Sequence, residues 1–126
     1  MMTPVRERAQ ALTELAIMLP LLLLLVLAAV DYGRVFFYFQ EVESAATAGA
    51  QFGSLNSANA TNLTLITSNA MLQVQDVTNI LPTVSTSLVG SNLSVTVSAT
   101  FRPFIVWPVL PTNVSLQRTV SMCVMQ

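Results

Sequence analysis

Residues 15–30, LAIMLPLLLLLVLAAV, constrain this chain most: they hold no charged side chain and are dominated by leucine. A helix rises about 1.5 Å per residue, so the run covers roughly 24 Å of a bilayer core about 30 Å thick. Residues 11–13 on one side and the aromatic residues after Asp31 on the other can extend it. A segment this apolar has two physical destinations, a membrane or the core of a polymer.

Composition agrees with that. A chain of 126 residues has room for one modest domain beside the helix, and 53% hydrophobic with 9% charged residues is too apolar for an ordinary soluble module. Net charge is −1, and the five arginines, Arg6, Arg8, Arg34, Arg102 and Arg118, are scattered. Such a chain lacks the basic patch that a phosphate backbone requires, so no nucleic-acid partner is expected. Cys123 is the single cysteine and histidine is absent, which excludes an intrachain disulfide and a thiolate zinc cluster and removes the commonest general base. There is no phosphate-cradling glycine loop and no nucleophile elbow. Neither catalysis nor a cofactor or metal is expected.

Residues 1–9 form a short polar leader or cytoplasmic segment, with Arg6 and Arg8 just before the apolar run. The positive-inside tendency keeps that end in the cytoplasm and sends the residues after Asp31 outward, by a margin that Glu7 and Arg34 narrow. Thr3 and Pro4 fit an N-cap and a first helical position. Pro20 removes one backbone donor and leaves the Ala16 carbonyl without its helical partner, so a kink or loosened turn is expected there. A secretory signal peptide has the same outline, with small residues at Ala28 and Ala29, but Glu14 interrupts its apolar segment. A carboxylate at that depth either snorkels into the headgroups or finds a partner.

Past Asp31 the helix continues and turns amphipathic. Asp31, Arg34, Glu41 and Glu43 recur as a polar face, while Val35, Phe36, Phe39, Val42, Ala46 and Phe52 recur at helical spacing. Asp31 and Arg34 are placed for an i,i+3 ion pair, with two solvated charges as the plainer reading. Glu41 and Glu43 read as a solvated helix face. Tyr32, Phe36, Phe37 and Tyr38 suit an aromatic belt at the headgroups or a contact between subunits, as does Phe39. The small residues from Ser44 through Ala45, Ala46, Ala48, Gly49 and Ala50 to Gly53 permit close backbone approach, and a sheet of the same subunit is the favoured neighbour over another helix. The whole helix, from about residue 4 to about 55, would be roughly 75–80 Å long.

Residues 56–62 are a Ser/Asn-rich break. A short helix follows, carried by Leu63, Ile66, Ala70 and Met71 and capped by Thr61 or Asn62. Residues 83–89 and 93–101 read as strands joined by a hairpin at Gly90-Ser91-Asn92, and residues 114–124 alternate as a last strand with Arg118 out of pattern. Three prolines bar residues 102–112 from an interior strand, leaving an apolar loop whose Phe104 and Trp107 are candidates to pack under the sheet, touch a membrane or meet another subunit. Four Asn-X-Ser/Thr triplets, at Asn59, Asn62, Asn92 and Asn113, match the N-glycosylation pattern, as chance alone produces in so Asn/Ser/Thr-rich a chain. The predicted fold class is α+β: a long N-terminal hydrophobic helix over residues 10–55, then a small head, residues 56–126, with a short helix and an antiparallel sheet of about three strands.

The combination Gln10-Ala11-Leu12-Thr13-Glu14, Leu19-Pro20 followed by leucines, Asp31-Tyr32-Gly33-Arg34 and Ala45-Ala46-Thr47-Ala48-Gly49-Ala50 resembles TadE-like proteins, pilin-related subunits of tight-adherence (Flp-type type IV) pilus systems. The resemblance implies a type IV pilin-like helix that spans the membrane before assembly and forms the filament core after it. It implies a prepilin-type peptidase cutting between Ala9 and Gln10, with Ala9 where the family usually carries glycine. Glu14, fifth after that cut, would then pair with the new amine of a neighbouring subunit and set register. The expected role is a structural subunit of a cell-surface filament used in adhesion, a helical polymer of this chain or related pilins made with inner-membrane assembly machinery. A minor pseudopilin that primes or caps the pilus, and a single-pass envelope protein that does not polymerise, are the alternatives.

Overall fold

The computed structural model describes residues 4–103 and 113–125, with the side chains of residues 4–7, 78 and 79 outside the description. The expected loop residues Phe104 and Trp107 therefore lie outside the described residues. The element order is α1 (Pro4–Ser54), α2 (Ser57–Ala60), α3 (Leu63–Met71), α4 (Val77–Ile80), β1 (Thr83–Val89), β2 (Asn92–Phe101) and β3 (Val114–Cys123). This is the α+β arrangement expected from the sequence. The chain divides into two compact units, Met1–Gly33 and Arg34–Gln126.

In the first unit the described chain is helix alone, continuing through Pro20. Every large aliphatic side chain from position 12 to position 30 is exposed, and the apolar character runs all round the helix.

The second unit, the head, is an α-helical layer on a three-stranded antiparallel sheet of order β1-β2-β3. Alternation decides the two faces of the sheet. Leu93, Val95, Val97, Ala99 and Phe101 of β2 point inward and are buried, joined by Leu116 of β3. The helical side of the core is Tyr38, Val42, Ala45, Ala46 and Ala50 of α1 with Ile66 and Ala70 of α3. The small residues of α1 thus face the sheet of their own subunit. A Cβ built on Gly53 would run into Leu93 Cδ2 and come within 3.2 Å of Ile66 Cδ1. At Gly49 a Cβ would meet Val95, Ala70 and Ile66 at 3.2–3.3 Å. Only glycine allows so near an approach at Gly53.

Local signals set the connections. Asn62 caps α3, its side-chain oxygen accepting from the Leu65 N–H at 3.2 Å. The expected break at 56–62 contains one more helical turn, α2, because Asn56 caps it through the Asn59 N–H at 2.8 Å. Gly90, at φ 61°, and Ser91 close the β1–β2 hairpin, with glycine taking the left-handed position that such a turn requires. The Val124 N–H donates to the Ser91 carbonyl at 2.7 Å and the Met125 N–H to the Ser54 carbonyl at 2.9 Å, tying the chain's end to the hairpin and to the end of α1.

The outward face of the sheet is built mostly of neutral polar side chains, with Val89 and Cys123 exposed at one end of it. Pairing aligns Thr83 with Ser98 and Gln117, Ser85 with Thr96 and Thr119, and Ser87 with Ser94 and Ser121. Hydroxyl pairs bridge strands at Thr83–Ser98 (2.8 Å), Thr96–Thr119 (2.8 Å) and Ser94–Ser121 (2.7 Å).

Two expectations for α1 are overturned. Asp31 and Glu41 are not on a solvated face: they are 7% and 6% exposed. Tyr38, expected with Tyr32, Phe36 and Phe37 at the headgroups or in a subunit contact, is 7% exposed and packs on Phe101, whereas Phe36 stays 58% exposed. The periodicity of residues 31–52 fits more than one helical face, and packing against α3 and the sheet selected the face with Tyr38, Val42 and Ala45.

Candidate assembly site

The first unit presents an apolar helical surface with a polar turn at its start. The Thr13 hydroxyl donates to the Ala9 carbonyl at 2.9 Å, and Gln10 Nε2 donates to Glu14 Oε1 at 3.2 Å. One helical turn thus brings Ala9, Gln10, Thr13 and Glu14 together, all exposed, as the i,i+4 geometry requires. Beyond them lies the aliphatic stretch. Fully burying one such side chain is worth about 1.5–3 kcal/mol, so leaving the whole set in water is untenable and the surface requires lipid or protein around it. The helix Arg8–Ser54 is long and apolar enough to cross a membrane, with mean hydropathy 2.5 in its most apolar stretch and none of that stretch buried. A core helix of a soluble protein would have it mostly covered.

In the head, α1 carries a second group of polar residues. The Tyr38 hydroxyl donates to Asp76 Oδ2 at 3.0 Å, and the Gln75 N–H donates to Glu41 Oε1 at 3.3 Å, so two side chains one turn apart hold the segment between α3 and α4. Glu41 Oε2 is buried without a hydrogen-bond partner. The Arg34 guanidinium lies 5.8 Å from the Tyr38 ring centre and 5.2 Å from that of Phe101. On the other side of the helix, Arg118 leaves the inward row of β3 to reach Glu43 Oε1 at 3.3 Å and to stand over the Phe39 ring at 5.7 Å. That explains why it breaks the alternation. Phe39 is packed against the head's core, whereas Phe36 and Phe37 remain exposed.

No group of three or more His, Cys, Asp or Glu able to hold a metal occurs among the described residues. A shallow groove of about 300 Å³ lies along α1 between Glu43, Ser44, Thr47, Gln51 and Gln73, with neither a nucleophile–base pair nor a cluster of acids. The chemistry this arrangement supports is contact. Sequence reading singled out Ala9, Gln10 and Glu14 but missed the Tyr38–Asp76 and Glu41–Gln75 links, whose partners lie more than thirty residues away.

The apolar stretch, its opening Gln10–Glu14 turn and the Ala/Gly run that packs on the sheet form one contiguous part of the chain. The family model for TadE-like proteins matches residues 9–51. The matched segment coincides with α1 from the polar turn to the close approach at Gly49, and over that stretch the chain is similar to TadE-like proteins, a pilus-associated family. No curated protein and no solved structure matches the chain.

Proposed function

We propose that this chain is a structural subunit of an extracellular pilus-like filament, held in the membrane by its N-terminal helix before assembly and packed by that helix against copies of itself or related pilins afterwards. The observation that carries this reading is the aliphatic surface from Leu12 to Val30, exposed on all sides and lying within the TadE-like match. A leucine-rich helix exchanges lipid for equally apolar protein contacts at little cost, so packing and polar pairs set the balance between membrane and filament.

In this reading the N-terminus is cytoplasmic and the head faces outward. A prepilin-type peptidase cuts between Ala9 and Gln10, and Glu14, within hydrogen-bonding reach of Gln10 in its own chain, turns to the new amine of a neighbour. Pro20 loosens the helix where the subunits pack. Phe36 and Phe37 supply contacts at the headgroups before assembly and with neighbours after it. The family match also favours a second reading, a minor pseudopilin that primes or caps the filament.

The test is Glu14→Ala in cells that make the filament. Loss of surface filaments with normal levels of the chain in the membrane supports the assembly role. Unchanged filaments containing the variant overturn it. The amount of the chain in sheared filaments relative to other pilins separates the major from the minor subunit.

A further inference from the structure

We infer that the end of the head carrying Val77 and Leu81 lies on the bilayer surface while the chain is held in the membrane, with lipid as the partner of this apolar pair. The inference rests on the membrane-held state proposed above. Hydrogen bonds and pairing place the two residues. The Tyr38 hydroxyl holds Asp76, the residue before Val77, at 3.0 Å. The Leu81 N–H donates to the Val77 carbonyl at 3.1 Å, so Val77 and Leu81 stand one turn apart, both exposed, while Ile80 is fully buried. Two residues later β1 begins, pairing Thr83 with Ser98, close to Phe101, whose ring centre lies 5.6 Å from that of Tyr38. The pair therefore sits at the Tyr38 end of the head. The Gly90-Ser91 hairpin, tied to the chain's end and to Ser54, is the other end.

Neither the backbone nor the core asks for leucine at position 81. Its φ of 41° is a left-handed conformation that glycine takes freely and leucine resists. Its side chain is 68% exposed, so it fills no space inside the head. A large apolar residue kept there against both points to a contact outside the head. The surroundings suit a lipid surface. From residue 77 to residue 101 the sequence has no charged side chain, and exposed Arg102 follows at the same end, next to Phe101, where it can meet lipid phosphate.

Depth along α1 names the occupant. A span of about 20 residues centred on the charge-free run covers residues 13–32. Tyr38 follows six residues later, about 9 Å at 1.5 Å per residue, and a headgroup layer is about 5–8 Å deep. Phe36 and Phe37, both exposed, fall within that layer, and the Tyr38 end of the head meets its outer edge. Val77 and Leu81 thus continue the lipid contact that the span and those two rings begin. Val89 is 74% exposed but belongs to the hairpin end, separated from Leu81 by the length of β1, roughly 20–25 Å. It serves as the control for exposure alone.

Single-cysteine variants of the full chain, made with Cys123→Ser and labelled with bimane, test the contact in vesicles of phosphatidylethanolamine and phosphatidylglycerol. Val77→Cys and Leu81→Cys report on the face, Val89→Cys on the far end and Leu22→Cys on the span. All four positions are exposed, so the label leaves the head's core intact, and the two on the face check each other. Lipid carrying a nitroxide on its headgroup should remove most of the fluorescence at positions 77 and 81 and little at 89. Lipid carrying it deep in the acyl chain should quench position 22. Quenching at 77 and 81 no greater than at 89, with position 22 quenched, overturns the face and leaves the membrane span standing. An unquenched label at position 22 defeats the membrane-held state and this inference with it.

Discussion

Replacing Gly53 by alanine tests the packing of α1 on the sheet. The added methyl meets the end of the Leu93 side chain, which is fully buried, and it crowds Ile66 as well. Overpacking of a filled core costs about 1–3 kcal/mol. Against this stands the helical preference for alanine over glycine, at most about 1 kcal/mol and less here, since Gly53 is one residue from the end of α1. The net expectation is a loss of about 1–2 kcal/mol, which in a unit of this size lowers Tm by roughly 5–10 °C. Near-UV circular dichroism of the full chain in detergent, which reports on the packed Tyr38 ring, follows the head without the signal of the apolar helix. Gly49→Ala is the internal control: its neighbours stand at 3.2–3.3 Å and need yield only a few tenths of an ångström, so crowding and helix propensity nearly cancel. Combining Gly53→Ala with Leu93→Val should be less damaging than the sum of the two changes, with a coupling of about 0.5 kcal/mol or more. A Gly53→Ala head as stable as the parent would refute the close-approach argument.

Three other substitutions probe the polar contacts of the head. Tyr38→Phe removes the donor to Asp76 and should cost about 1–2 kcal/mol in the same thermal assay, with faster amide exchange in residues 73–76. Glu41→Gln keeps an oxygen for the Gln75 N–H while removing a buried carboxylate with one unpartnered oxygen, so stability should hold or rise; a clear drop would mean that the charge itself is needed. Arg118→Ala breaks an ion pair whose members are 47% and 45% exposed, so its loss should stay below about 1 kcal/mol and shrink as salt is raised.

The parts of this molecule that repeat were legible in the sequence. The apolar run gave the start of α1, alternation gave β2 and, apart from Arg118, β3, and Gly90-Ser91 placed the hairpin, each through a period or a backbone demand that acts locally. The Ala/Gly run announced a close contact, and the sheet beneath it met that expectation at Gly53 and Gly49. What the sequence hid depends on distant partners. Glu41 looks like any surface glutamate until the Gln75 N–H is brought to it, and Tyr38 looks like one more belt aromatic until Asp76 and Phe101 draw it inward. Arg118 broke an alternating pattern for a reason that lay 75 residues earlier, at Glu43.

The central claim is that the apolar segment stays with the head in the working filament. Quantitative mass spectrometry of sheared surface filaments tests it most directly, comparing peptides from residues 10–33 with peptides from the head. The account predicts equal molar amounts of the two. Head peptides alone in the extracellular material, or the chain found solely as separate molecules in the membrane fraction, would contradict it.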